Sequence, residues 1–307
     1  MNILDDNEYD SDTCSGTSWE SFDRNNLVEN MPKLYGACYE SNIDGVKCAL
    51  EDLNIDINEF YIKHNRTALM KAIENNNINI VNILLEDYRL DINLVNKDSE
   101  SAIFTCIKSG KTEILKLLFE HKNINLNLRN KSGKTPFYVA CDQKLTIETL
   151  YQFLNDPRID ITIADNYGIT PFMNICYNQN ININCVKILL DDSRIDPNLR
   201  SKLGKTAFFL LCSCYISSEN SQKIDFLLDN QNIDVNLADN ECVTPFMVMC
   251  SVNNIYIDKF INNDRINVYL KDNQNRTVIE RVFEKELKTL KVLTDVFGKD
   301  TLIDSLS

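Results

Sequence analysis

Several things are scarce in this chain of 307 residues, and each scarcity excludes something. It has two histidines, His64 and His121, far apart in sequence, so neither is placed to activate a cysteine or serine nucleophile. Glycine occurs only eight times and never as Gly-x-x-x-x-Gly-Lys-Ser/Thr. Gly133-Lys134-Thr135 lacks the preceding glycine and strand that a phosphate-binding loop needs. No Cys-x-x-Cys pair exists to hold zinc. Apolar runs are short: the longest, Ala207 to Cys212, is six residues, against about 18 for a membrane span. Basic residues number 32 against 45 acidic ones, a net charge of −13. That balance argues against nucleic acid and against an anionic membrane surface, since both need a basic face. The N-terminus has neither a basic start nor an apolar stretch, so no secretory signal is expected. These absences together predict a soluble chain, cytoplasmic or also nuclear, with no catalytic residues, no cofactor and no metal.

What the sequence has in abundance is asparagine, 40 residues, and isoleucine, 33. Asparagine is one of the few residues besides glycine that tolerate left-handed backbone angles, so it can stand at turns where glycine is missing. Many of these residues belong to a repeated string. It runs Ile55-Asp-Ile-Asn58, Leu90-Asp-Ile-Asn93, Ile124-Asn-Leu-Asn127, Ile159-Asp-Ile-Thr162, Ile195-Asp-Pro-Asn198, Ile233-Asp-Val-Asn236 and Ile266-Asn-Val-Tyr269. The spacings are 35, 34, 35, 36, 38 and 33 residues. At a nearly fixed distance after each string stands Thr67, Ser101, Thr135, Thr170, Thr206, Thr244 or Thr277. Two features that keep one register over seven copies define a repeat array.

Each copy carries the same local chemistry. Thr or Ser is a good helix N-cap, because its hydroxyl accepts from an unsatisfied backbone N–H in the first turn. Pro136, Pro171 and Pro245 follow the cap at the one helical position where a missing N–H costs nothing. Gly133, Gly168 and Gly204 sit two residues before it, where a turn needs positive φ. A short helix follows, then a second with apolar residues at helical spacing, such as Ile80, Val81, Leu84 and Ile114, Leu115, Leu118. No such unit can bury its apolar face alone.

The pattern Gly-x-Thr-Pro-Phe at Gly133–Phe137 and Gly168–Phe172, with a second helix ending in Ile-Leu-Leu, resembles the ankyrin repeat. The resemblance implies an all-α repeat solenoid of helix-turn-helix units joined by hairpin-like turns. Eight units are expected: 31–61, 62–95, 96–129, 130–164, 165–200, 201–238, 239–271 and 272–307, the first and last atypical. The family's histidine is replaced by Met70, Phe104, Tyr138, Met173, Phe209 and Met247, and the connector in 201–238 is lengthened around Ser217. The resemblance also implies a non-enzymatic protein-binding module, an adaptor, scaffold or inhibitor, and a chain that is monomeric by itself. The alternatives are a regulatory or targeting subunit of an enzyme complex, or an enzyme with an unrecognised site. In the family the fifth residue from each cap faces the concave side. That places Val139, Asn174, Leu210 and Val248 in a groove, joined by Asp142 and Tyr177 and, at the turn tips, by Tyr167 and Leu203. The net negative charge suggests a partner with a basic surface.

Six of the eleven cysteines, Cys38, Cys106, Cys141, Cys176, Cys212 and Cys250, hold equivalent first-helix places and are expected as small core residues. Residues 1–30 differ in kind, with eight acids against Arg24. Their composition predicts disorder, relieved by a capping-box helix at Thr17–Glu20 that puts Trp19 and Phe22 on one face. That segment reads either as a cap on the first unit or as a motif for a partner.

Overall fold

The structure, a computed structural model, describes residues 31–143, 145–214, 217–252 and 257–283. The expectations for Trp19 and Phe22 and for residues 284–307 lie outside the described residues. The described residues form fifteen helices, nearly all in pairs. The pairs are α1 (Lys33–Tyr39) and α2 (Ile43–Glu51), α3 (Ala68–Glu74) and α4 (Ile78–Glu86), α5 (Ala102–Lys108) and α6 (Thr112–Glu120). They continue with α7 (Pro136–Asp142) and α8 (Ile147–Asn155), α9 (Pro171–Tyr177) and α10 (Ile183–Leu190), α11 (Ala207–Cys212) and α12 (Ser218–Asp229). The last are α13 (Pro245–Val252) with α14 (Ile257–Ile261), and α15 (Val278–Phe283). First helices stack on first helices along the array, which makes it an all-α repeat solenoid. A hairpin-like finger precedes each first helix from α3 onward. In the second unit it closes as a two-strand ribbon, β1 (Phe60–Tyr61) antiparallel to β2 (Arg66–Thr67).

Local chemistry sets these elements. The hydroxyls of Thr67, Thr135, Thr170, Thr206 and Thr244 each accept from the backbone N–H three residues on. Ser101 makes no such bond, although its helix begins at the same place. Each finger needs one residue with positive φ, and glycine supplies it at Gly133, Gly168 and Gly204. The need at Gly133 and Gly204 is also steric. A Cβ there would come within 2.3 Å of Asn166 Oδ1 or Asn240 Oδ1 in the next finger. Elsewhere Asn65, Ser99, Cys242 and Asn275 take the left-handed conformation. Between the layers runs one continuous apolar core, with Leu84, Leu118, Leu189 and Leu227 fully buried. Aromatic rings bridge neighbours, as where Phe153 meets Phe119 at 5.1 Å and Phe137 at 5.3 Å.

The recurring Ile-Asp-Ile-Asn string is the fastener between units. Its acidic or amide residue makes a local turn, as when Asp56 Oδ1 accepts from the Asn58 N–H at 2.9 Å. The asparagine that follows reaches the next unit with both ends of its amide. Asn58 Nδ2 donates to the Arg89 carbonyl while its Oδ1 accepts from the Asp91 N–H, both at 2.8 Å. Asn93, Asn127, Asn198 and Asn236 repeat this double bond. At the equivalent place exposed Thr162 bonds back within its own turn, its Oγ1 donating to Asp160 Oδ1 at 2.6 Å, and no bond to the next unit is present among the described residues.

A second fastener was not read from the sequence. Arg89, Arg158, Arg194 and Arg265 reach back to carbonyls around the end of the preceding unit's second helix. Arg89 Nη2, for instance, donates to the Leu50 carbonyl at 3.0 Å. Those carbonyls have no partner within their own helix, so a guanidinium there satisfies them and meets the negative end of the helix dipole. In three of the four cases an aspartate two residues earlier (Asp87, Asp156 or Asp192) holds the arginine in an ion pair.

The gap at position 162 gives a direct prediction. Thr162→Asn supplies two inter-unit bonds and should stabilise the array by about 1 kcal/mol, whereas Asn127→Ala should cost about 1–3 kcal/mol. Urea denaturation of the two variants beside the unaltered chain reads both signs.

Candidate functional site

The fingers and first helices form one face of the solenoid, and its character changes along the array. In the second, third and fourth units the residue before the cap pairs with the eighth residue of the first helix, counted from the cap. Arg66 meets Glu74 at 2.7 Å, Lys108 meets Glu100 at 2.6 Å and Lys134 meets Asp142 at 2.5 Å. Sign alternates from unit to unit, so each pair is internally matched. Neighbours join in: Asn130 Nδ2 donates to Glu100 Oε1 at 3.1 Å and Asn174 Nδ2 to Asp142 Oδ1 at 2.6 Å. Half-exposed pairs of this sort are each worth only about 0–1 kcal/mol, so their effect is to hold the surface polar. In the next three units the same two places hold Ile169 and Tyr177, Lys205 and Ser213, and Val243 and Ser251. The ion-pair row stops there.

Of the eight residues expected in a groove, six line this face. Tyr167 is 74% exposed and Leu203 61%. They stand on adjacent fingers joined by the Lys202 N–H donating to the Tyr167 carbonyl at 3.0 Å. Asp142, Tyr177, Leu210 and Val248 are half-buried on the first helices behind them. The other two do not face solvent. Val139, 3% exposed, belongs to the continuous core, and Asn174, 1% exposed, is drawn into the seam between units by its bond to Asp142. The fifth position lies at the boundary between groove and seam, so side-chain size and partner decide which it joins. Val252, exposed at the end of α13, was missed. So was a row of exposed tip lysines, Lys63, Lys97, Lys131 and Lys202. The register does mark those lysines: they are the residues just inside each finger.

One buried cation has no sequence signal beyond its place on a helical face. Lys223 on α12 is fully buried, and its Nζ donates to the Ile175 carbonyl at 3.1 Å and the Asn178 carbonyl at 2.6 Å. It thereby caps the C-terminal end of α9, where a cation is favoured. Burial holds its pKa below the usual ammonium range, against the pull of the thiols of Cys176, Cys185 and Cys214. The six first-helix cysteines are all buried, as their register requires. Burial pushes the thiols of Cys38, Cys106 and Cys176 up to about 12. Among the described residues no group of three or more His, Cys, Asp or Glu is placed to hold a metal ion. Nor is any helix among them long and apolar enough to cross a membrane.

Comparison with known families places this geometry. The pattern for ankyrin repeats in three copies matches residues 88–165 and 143–239, and that for ankyrin repeats in many copies matches 57–103. No curated protein matches the chain.

The cysteines offer a test of the register. Under native conditions a thiol reagent should modify exposed Cys48 and Cys242 quickly, and Cys38, Cys106, Cys141, Cys176, Cys212 and Cys250 slowly, because burial keeps them protonated and covered. Peptide mapping after timed labelling resolves the two classes.

Proposed function

Because the chain belongs to the ankyrin repeat family, whose repeats are generally protein–protein interaction modules, we propose that it is a non-catalytic adaptor, scaffold or inhibitor. Its partner binds along the fingers and first helices of the units spanning 130–271. One observation carries this reading. The ion-pair row ends at Lys134–Asp142, and beyond it Tyr167 and Leu203 project from bonded fingers with Tyr177, Leu210 and Val248 behind them. Aromatic and aliphatic side chains held on a rigid frame lose little entropy on binding, and such anchors carry most of the energy at interfaces. In the earlier units the ion-pair row lies behind the fingers, whose exposed apolar side chains are Ile62 and Val95 with no exposed Phe, Tyr or Trp on the same fingers.

The net charge of −13 suggested a basic partner. The local surroundings favour the opposite. Lys202 and Lys205 flank Leu203 on its finger, and the Lys202 N–H bonds the Tyr167 carbonyl, so an apolar anchor beside an acidic group fits this patch better.

Affinity purification of the intact chain followed by mass spectrometry identifies the partner, and variants then locate the contact. Tyr167→Asp with Leu203→Asp should weaken binding at least about 30-fold, the loss of one hot spot worth about 2 kcal/mol. Stability should change by no more than about 0.5 kcal/mol, because both side chains are exposed. Val139→Asp should instead lower the melting temperature, since that residue is core. A partner that binds the double variant as tightly as the unaltered chain overturns the assignment.

A further inference from the structure

Charge on this protein is partitioned. Over the five units whose fingers run from residue 59 to residue 213, the finger and first-helix stretches (59–74, 94–108, 128–142, 163–177 and 199–213) hold 11 basic and 6 acidic residues. The second-helix and connector stretches between and after them (75–93, 109–127, 143–162, 178–198 and 214–238) hold 9 basic and 15 acidic. A strongly acidic chain thus presents a basic face on one side. Its tips carry Lys63, Lys97 and Lys131 in three consecutive fingers, all exposed. None of the three ammonium groups has a carboxylate within ion-pair distance among the described residues. The exposed acids of the same fingers are Glu59 and Asp98, too few to offset them.

The strongest concentration of opposite charge lies in the same chain. Residues 1–30 contain eight acids and one arginine. The structure also shows where that segment joins the array. It precedes α1, at the place every later unit fills with its finger, and α1 is fixed to the finger of the second unit. Tyr35 Oη lies 3.1 Å from His64 Nδ1, and the Tyr35 and Tyr61 rings are 4.9 Å apart. The segment therefore joins the array at the helix that packs on the Lys63 finger, the first of the lysine row. Its length suits the row. A flexible 30-residue chain has a root-mean-square span of about 30 Å. Three fingers spaced like stacked helices, about 8–10 Å apart, cover about 20 Å. An apolar contact is at hand as well, since Ile62 beside Lys63 is 81% exposed and the segment carries Trp19 and Phe22.

We propose that residues 1–30 lie across the fingers of the second to fourth units, their acids against Lys63, Lys97 and Lys131. Tethering gives this segment an effective concentration of order millimolar. An acidic partner reaching for the same fingers must therefore displace it. The Tyr167–Leu203 patch lies on the next two fingers, the first bonded to the Lys131 finger through the Asn166 N–H and the Ser132 carbonyl; its contact is read by partner binding to the Tyr167 and Leu203 variants, whereas this one is read by Trp19 in the chain alone.

Trp19 is the only tryptophan, so fluorescence of the full chain reports on the segment alone. Acrylamide, a neutral quencher, is applied at about 10 mM and about 1 M salt, where the Debye length falls from about 30 Å to about 3 Å. The quenching constant should rise about two-fold or more between these conditions as the ionic contact is screened. Lys63→Glu with Lys97→Glu and Lys131→Glu should give the high value already at low salt, with the circular-dichroism melting curve unchanged. Lys122→Glu, in the connector after α6, should behave as the unaltered chain. Asp5→Asn with Asp6→Asn, Asp10→Asn and Asp12→Asn reads the same contact from the other side and leaves the array untouched. Trp19 accessible at every salt concentration overturns the proposal. Trp19 shielded but indifferent to salt and to both sets of substitutions overturns it too, and makes the segment an apolar cap on the first unit. A shielding that depends on protein concentration assigns the contact to a second copy and overturns the intramolecular form.

Discussion

Everything in this solenoid depends on one constraint: no unit can satisfy itself. A pair of helices of five to twelve residues leaves an apolar face open and several backbone groups without partners, so each unit is completed by its neighbour. The asparagine that closes the Ile-Asp-Ile-Asn string is the simplest expression of this. Its amide carries a donor and an acceptor on one carbon, and the next unit offers a carbonyl and an N–H two residues apart at the matching spacing. Aspartate lacks the donor and threonine is too short, and that is why Thr162 breaks the ladder. The arginines of the same connectors, and Lys223 within, answer the same demand by donating to carbonyls at helix ends.

These fasteners lie at the connectors, while the fingers are joined to one another by backbone bonds that leave their tip side chains exposed. Tyr167 and Leu203 have no part in the core and none in the ladder except through their main chains. The ion pairs of the earlier units, weak in energy, keep the first-helix surface of that stretch polar. Charge follows the same geometry. Basic residues outnumber acids on the fingers and first helices and acids predominate on the second helices and connectors, so the net charge of the chain misdescribes the finger face.

Much of this was legible in the sequence. The register of the strings and caps placed the helices, the cap threonines and the burial of Cys141, Cys176 and Cys212, because those depend only on periodicity and local turn chemistry. What periodicity does not give is depth. Val139 and Leu210 occupy the same place in the repeat, yet one is core and the other half-exposed. The difference lies in the neighbouring unit, which no single repeat encodes. The Asx turns were foreseen, but not the amide bonds that follow them, because a partner more than thirty residues away leaves no mark in the local pattern. Lys223 was invisible for the same reason: its carbonyl partners lie 45 and 48 residues earlier.

The central claim, that side-chain amides fasten each unit to the next, is tested most directly by native-state hydrogen exchange resolved to single residues. The backbone N–H groups of Asp91, Asn125, Asp160, Asp234 and Asn267 donate to the asparagine oxygens and should be protected. The equivalent N–H of Asp196, facing Thr162, should exchange faster than those on either side of it, and should join them in Thr162→Asn. Equal protection at Asp196 in the unaltered chain, or no change on adding the asparagine, would contradict the account.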